Sequence, residues 1–287
     1  MMRLLTLNIE RTRHLVDLLR SRDLVPASRE TELEGNIKKS FPKSSVNIPD
    51  AQTSELESAG CDIWNAATNL VRDAKTTDDA SAAPPASVRF ITLARVFAFM
   101  LLDTGYQSSL RQRKDTEKLV RNLKTGLKAC RTCLNTGELE LASIVIPKCA
   151  QYAESAAKES PLVQTTKQED NDEQHRSTLA HLTSEICLLR LTHAWKVDRL
   201  ELAEHFYNDF IDHGYRGALT SAVDAAELAY QIGKSLSKKH LPENAATWLE
   251  RAVTLLDTGD IMELDPDAFE LRLTISVALG KFCCDDR

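Results

Sequence analysis

The stretch Ala225 to Leu256, AAELAYQIGKSLSKKHLPENAATWLERAVTLL, constrains this chain more than any other. It holds two amphipathic helical runs joined by a short polar segment at 240–242. Ile232, Gly233 and Leu236 line one stripe of the first run. Ala245, Leu249 and Ala252, spaced by four and three, line one face of the second. A joint this short forces the two helices to lie antiparallel. The small residues Gly233, Ala245 and Ala252 let the backbones approach closely. This is the tetratricopeptide pattern, in which small and large apolar residues alternate on paired helices. One such hairpin cannot bury its own apolar face; stacked neighbours bury it for one another.

The pattern has echoes. TGELELASIV (Thr136 to Val145) and VDRLELAEHF (Val197 to Phe206) both contain Leu-Glu-Leu-Ala after a helical run and a polar turn. In the first, Cys130 takes the place of Gly233, Ala142 that of Ala245, Ile146 that of Leu249 and Cys149 that of Ala252. In the second, Ala203, Tyr207 and Phe210 fill the second-helix stripe and Asp198 sits at the turn, while Leu191 stands where a small residue is expected. A regular array of this kind repeats every ~34 residues; here the repeats are irregular and separated by insertions. The expected fold class is therefore all-α, a tetratricopeptide-like antiparallel helix-hairpin superhelix, or α-solenoid. Ten glycines and nine prolines in 287 residues support it, because breakers are scarce. No run of alternating β-branched residues reads as a strand.

Along the chain, a helix is expected over Leu4–Arg20, then an irregular segment over 21–50 with Pro26, Pro42 and Pro49. These form an N-terminal region, 1–50. A helical-repeat domain is expected over 51–287, with polar linkers near 75–87 and 158–176. Periodicity resumes through Leu56, Ile63, Ala67 and Leu70, flanked by Trp64. VRFITLARVFAFMLLD, the most apolar stretch, is too short to span a membrane and carries Arg89 and Arg95, so it reads as a buried helix. Further helices are expected near 112–135, 138–157, 177–197, 199–212, 219–239, 242–257 and 267–283.

The formal charge is −6 and the pI about 5.7, which argues against a general nucleic-acid binder. The charged N-terminus lacks the apolar core and cleavage site of a signal peptide. Seven cysteines without framework spacing fit a reducing compartment, cytosol or nucleus. Cys130 and Cys133 form a C-x-x-C, but no second pair or Cys/His couple sits at zinc-site spacing, Cys149 and His175 included. Both fall on repeat-packing positions, where cysteine acts as a small apolar residue. His193 and His205 lie on different helices and make no metal-binding motif. Asp78–Asp79 sits in a linker. No phosphate-binding glycine loop or nucleophile elbow occurs. We expect no catalytic, cofactor or metal residues.

One charge pattern stands out. Arg111, Arg113, Lys114, Lys118, Arg121, Lys124 and Lys128 form a basic run, of which Lys114, Lys118, Arg121, Lys124 and Lys128 recur at helix-face spacing. It reads either as a solvated face or as a docking stripe for an acidic peptide or, less readily, DNA.

The blocks LARVFAFMLLDTGYQ, LKTGLKACRTCLNTGELELA, LTHAWKVDRLELAEHFY and AELAYQIGKSLSKKHLPENAATWLERAVTLL together resemble the fungal meiosis-specific tetratricopeptide scaffold family, the Spo-twenty-two/Zip-four proteins. ELESAGCDIWNAATNLVRD resembles its N-terminal region. The likeness runs over roughly residues 50–282. It implies a non-catalytic scaffold, nuclear and on meiotic chromosomes, that promotes crossovers and synaptonemal complex assembly. Its partners would be proteins of the synapsis-initiation and crossover machinery, with no membrane and no sequence-specific nucleic acid. Family members are much longer, and Leu264, Phe269, Leu273, Val277 and Phe282 would want a following repeat. The resemblance therefore implies an N-terminal portion, a truncated gene model or a divergent short paralogue. The rival expectation is a generic tetratricopeptide adaptor, such as a co-chaperone peptide clamp. A clamp would draw basic groove residues from several first helices, whereas here they concentrate on one.

Overall fold

The computed structural model describes residues 2–21, 26–39, 41, 48–76, 87–109, 116–159, 169–214, 219–257 and 266–285. Among them every regular element is a helix. The chain divides into two compact units, Met1–Lys167 and Gln168–Arg287.

The first unit holds α1 (Met2–Ser21), α2 (Ala27–Lys39), α3 (Asp50–Thr76), α4 (Val88–Ser109), α5 (Thr116–Thr136) and α6 (Leu139–Glu159). Helix α3 packs on α4, α4 on α5 and α5 on α6, while α1 rests on α3 and α2 on α4. The pairs run antiparallel. Going up α3, Glu57, Gly60 and Trp64 meet Gly105, Leu102 and Arg95 going down α4. Close approach depends on glycine at two places. A Cβ on Gly60 would stand 2.8 Å from Leu102 Cγ, and one on Gly126 would stand 2.6 Å from Cys149 Sγ. Gly60 and Gly126, which the repeat pattern does not single out, thus set the interhelix distance.

Residues 21–50 are not wholly irregular, because 27–39 form α2. Its own composition is polar, and tertiary packing holds it. Leu33 and Ile37 are buried, and Arg89 of α4 reaches Glu34 Oε2 at 2.7 Å and Glu30 Oε2 at 3.5 Å. Arg89 Nε also donates to Glu138 Oε1 at 2.8 Å, at the turn before α6. These contacts raise the Arg89 pKa, with the Glu34 bond foremost and Glu138 next. Ser87 caps α4: its Oγ accepts from the Phe90 N–H at 2.9 Å and also bonds the Glu30 carboxylate. A buried polar knot ties α4 to α6. Asp103, 2% exposed, accepts from Lys148 Nζ at 2.5 Å and Tyr152 Oη at 3.1 Å. Burial, then the Asp103 charge, pushes the Tyr152 phenol well above its ordinary pKa.

The second unit holds α7 (Glu169–Lys196), α8 (Leu200–Asp209), α9 (Leu219–Lys238), α10 (Pro242–Asp257) and α11 (Pro266–Asp285). Helix α8 runs on into a π-helical turn, Phe210–Gly214. Helix α7 begins earlier than its apolar periodicity predicts, inside the polar stretch 158–176. Helices α7 and α8 pair, as do α9 and α10; α11 covers α10, and α9 lies against α7. The expected stripe positions are all inside: Ile232, Gly233, Leu236, Ala245, Leu249 and Ala252 are buried, as are Ala203, Tyr207 and Phe210. A Cβ on Gly233 would stand 2.9 Å from Leu249 Cγ and 3.1 Å from the Ala245 carbonyl. Trp248, wholly buried, meets Tyr207 edge-on at 5.5 Å. On α11, Phe269, Leu273 and Val277 are exposed. Leu264 and the Phe282 side chain lie outside the described residues.

The Leu-Glu-Leu-Ala echo has a local cause. Gly137, Asp198 and His240 all take positive φ, at 78°, 62° and 59°. Each is followed by an N–H that reaches back five residues: Glu138 to Cys133 O, Arg199 to Ala194 O and Leu241 to Leu236 O, at 2.9–3.1 Å. This is the Schellman stop, which satisfies carbonyls left over at a helix end. Those same residues accept the first bond of the next helix, from Ala142, Ala203 and Ala245. The three alanines therefore sit at one geometric position, each fully buried.

Candidate protein-binding face

Helix α5 has two faces. Leu119, Leu123, Leu127, Cys130 and Leu134 point into the core, and the apolar spacing that puts them there leaves the cationic positions on the other side. Of the five basic positions expected to form a stripe, Lys114 lies outside the described residues, as do Arg111 and Arg113. Lys118 is half-buried and paired: its Nζ lies 3.1 Å from Glu57 Oε2 and 3.3 Å from Oε1 on α3. Arg121, Lys124 and Lys128 are exposed along the helix. Among the described residues none of these three is in an ion pair. The structure thus brings three of the five together as unneutralised charge and consumes a fourth within the fold.

Sequence reading missed a neighbour of this face. Arg95 of α4 reaches across to α5, where its Nη1 donates to Thr132 Oγ1 at 3.1 Å. The Thr132 hydroxyl in turn donates to the Lys128 carbonyl at 2.8 Å, one turn back. The Arg95 guanidinium carbon lies 5.6 Å from the centre of the Trp64 ring on α3, a cation–π contact. Burial holds the Arg95 pKa below the ordinary guanidinium range. The one hint in the sequence is an arginine in the most apolar stretch of the chain.

The C-x-x-C is a packing element. Cys130 and Cys133 are wholly buried. Burial, then the charge of Glu138, pushes the Cys133 thiol up to about 12, which disfavours the thiolate that metal binding and nucleophilic attack both need. His205 is exposed beside Asp209, 3.7 Å away. Asp78 and Asp79 lie outside the described residues. Among the described residues no group of three or more His, Cys, Asp or Glu could hold a metal ion, and no helix is long and apolar enough to cross a membrane.

Comparison with known proteins adds a similarity over part of the chain. No curated protein matches the chain. The chain is similar to the crystal structure of a de novo designed helical repeat protein, DHR64, at 16% identity over 80% of this chain and 95% of that one, with a TM-score of 0.38. That overlap is too loose to carry the fold, which rests on the helix packing above. Residues 193–286 match the family model described as "Meiosis protein SPO22/ZIP4 like". The matched segment spans the α7–α8 turn, the α9–α10 hairpin and α11. That match lies on stacked hairpins of the expected kind, so over residues 193–286 the chain is similar to the SPO22/ZIP4-like meiosis proteins.

Proposed function

We propose that this chain is a non-catalytic helical-repeat scaffold that binds protein partners in meiotic crossover formation and synaptonemal complex assembly, in the nucleus and on meiotic chromosomes. The observation that carries the meiotic part is the family match over 193–286. The architecture supports binding by surface, since stacked hairpins present extended grooves and faces. In the first unit the exposed cations Arg121, Lys124 and Lys128 are the partner-binding face, and Lys118 supports it through Glu57. The partners are proteins of the synapsis-initiation and crossover machinery.

The test is a pull-down of the tagged chain from cells entering meiosis, compared with vegetative cells. The expected result is recovery of synapsis-initiation and crossover proteins from the meiotic sample, with transcript confined to that stage. Steady vegetative expression with chaperones as the recovered partners would replace the scaffold reading with the generic adaptor. Neutralising Arg121, Lys124 and Lys128 together to Gln is expected to strip the partners held by the first unit.

A further inference from the structure

Two arginines on α4 have opposite fates. Arg89 is surrounded by the carboxylates of Glu30, Glu34 and Glu138. Arg95, farther along the same helix, has no carboxylate partner among the described residues. A guanidinium carries five N–H donors. Here one is taken by Thr132 Oγ1, and the Nε of Arg95 is buried with no acceptor among the described residues. A half-buried cation left this way is costly unless something satisfies it. The Trp64 ring and the Thr132 hydroxyl fix its plane, so the fork is held in place before any ligand arrives.

The charge around it continues in one direction. Lys128 lies one turn from Thr132, and Arg121 lies two turns beyond Lys128. From Arg121 to Thr132 the rise along α5 is about 16 Å, the length of roughly five residues of extended peptide. At the Lys118 end the run closes on Glu57.

We propose that Arg95 is a carboxylate-binding site, the recessed anchor for an Asp or Glu side chain of an acidic peptide segment that lies extended along Arg121, Lys124 and Lys128. This deepens the reading of α5 as a partner-binding face and rests on it. An acidic peptide fits better than nucleic acid on two grounds. The chain as a whole carries −6, and the unpaired cations form one narrow stripe rather than the broad basic footprint a phosphate backbone requires. A side-chain carboxylate also matches the guanidinium fork in a bidentate pair.

The experiment uses the full chain and fluorescein-labelled octaglutamate, followed by fluorescence anisotropy at low salt. Arg95→Gln is expected to weaken binding about tenfold, as loss of a charge-assisted bond does. Lys124→Gln and Lys128→Gln are expected to weaken it about two- to threefold each, and Lys234→Gln, on α9, to leave it unchanged. Wild-type protein supplies a second readout independent of folding in the variants: saturating peptide is expected to protect Arg95 from phenylglyoxal, seen by peptide mapping. If Arg95→Gln binds as wild type, or Arg95 is modified equally with and without peptide, the anchor is overturned. Weakening by Lys124→Gln and Lys128→Gln alone would then leave the face standing without it. No binding by the wild type removes both. Displacement of the peptide by oligodeoxythymidine at a lower concentration than free octaglutamate needs would overturn the peptide in favour of nucleic acid.

Discussion

The same substitution, glycine to alanine, is expected to have opposite signs at two helical positions of the first unit. At either Gly35 or Gly126, alanine gains about 1 kcal/mol of intrinsic helix preference. At Gly35 the new methyl meets nothing within 4 Å. At Gly126 it would stand 2.6 Å from Cys149 Sγ and 2.7 Å from Phe99 Cε2, closer than real contacts allow. Neither neighbour can easily move: both are wholly buried, and the Phe99 ring is packed on Tyr152 with centroids 6.5 Å apart. Forcing one methyl into such a core costs about 1–3 kcal/mol. The difference between the two variants cancels the helix preference and isolates the overlap, about 2 kcal/mol. For a unit of this size that corresponds to roughly 4–8 °C in Tm. Urea and thermal melts of the full chain, followed by circular dichroism at 222 nm, measure it. Both glycines lie in the same unit, so any separate transition of the other unit drops out of the comparison. Adding Cys149→Ala is expected to recover part of the Gly126→Ala loss by removing the nearest atom. Two single variants melting within about 0.5 kcal/mol of each other would refute the claim that this glycine sets the approach of α4, α5 and α6.

Three further outcomes are expected. Asp103→Ala leaves Lys148 and Tyr152 facing an empty acceptor position in a buried setting and should cost about 3 kcal/mol in a urea melt. Gly137→Ala puts a side chain at φ 78° and should destabilise by about 1 kcal/mol, whereas His240→Gly, relieving φ 59°, should stabilise by a similar amount; equal Tm values would contradict the shared turn geometry. The Glu34 carboxyl is held below its ordinary 4.5 by the Lys38 bond first and the Arg89 bond second. Because its folded pKa is depressed, the stability it contributes is fully present above pH 4.5 and is lost as pH falls below that value through the folded pKa. Acid melts of Glu34→Gln should accordingly fall less steeply over that range than wild type.

The hairpins were legible in the sequence because their causes are local. A Schellman turn needs only a residue that tolerates positive φ and a back-bond across five residues, and Gly137, Asp198 and His240 each supply it within one short window. The stripe of Ala245, Leu249 and Ala252 follows from helical period alone. Helix α2 was not legible, since it is held by burial of Leu33 and Ile37 and by ion pairs with Arg89, some 55–59 residues away in the chain. The stripe on α5 was half legible. Periodicity placed Arg121, Lys124 and Lys128 on one face, but only packing could decide that Lys118 is spent on Glu57, 61 residues distant, and that Arg95 meets no carboxylate among the described residues. What the sequence determined on its own is the class of fold and where each hairpin turns, because hydrogen bonds between near neighbours set those. Which charges remain available to a partner was decided by tertiary structure, because burial and ion pairing depend on residues that the chain brings together only when it folds.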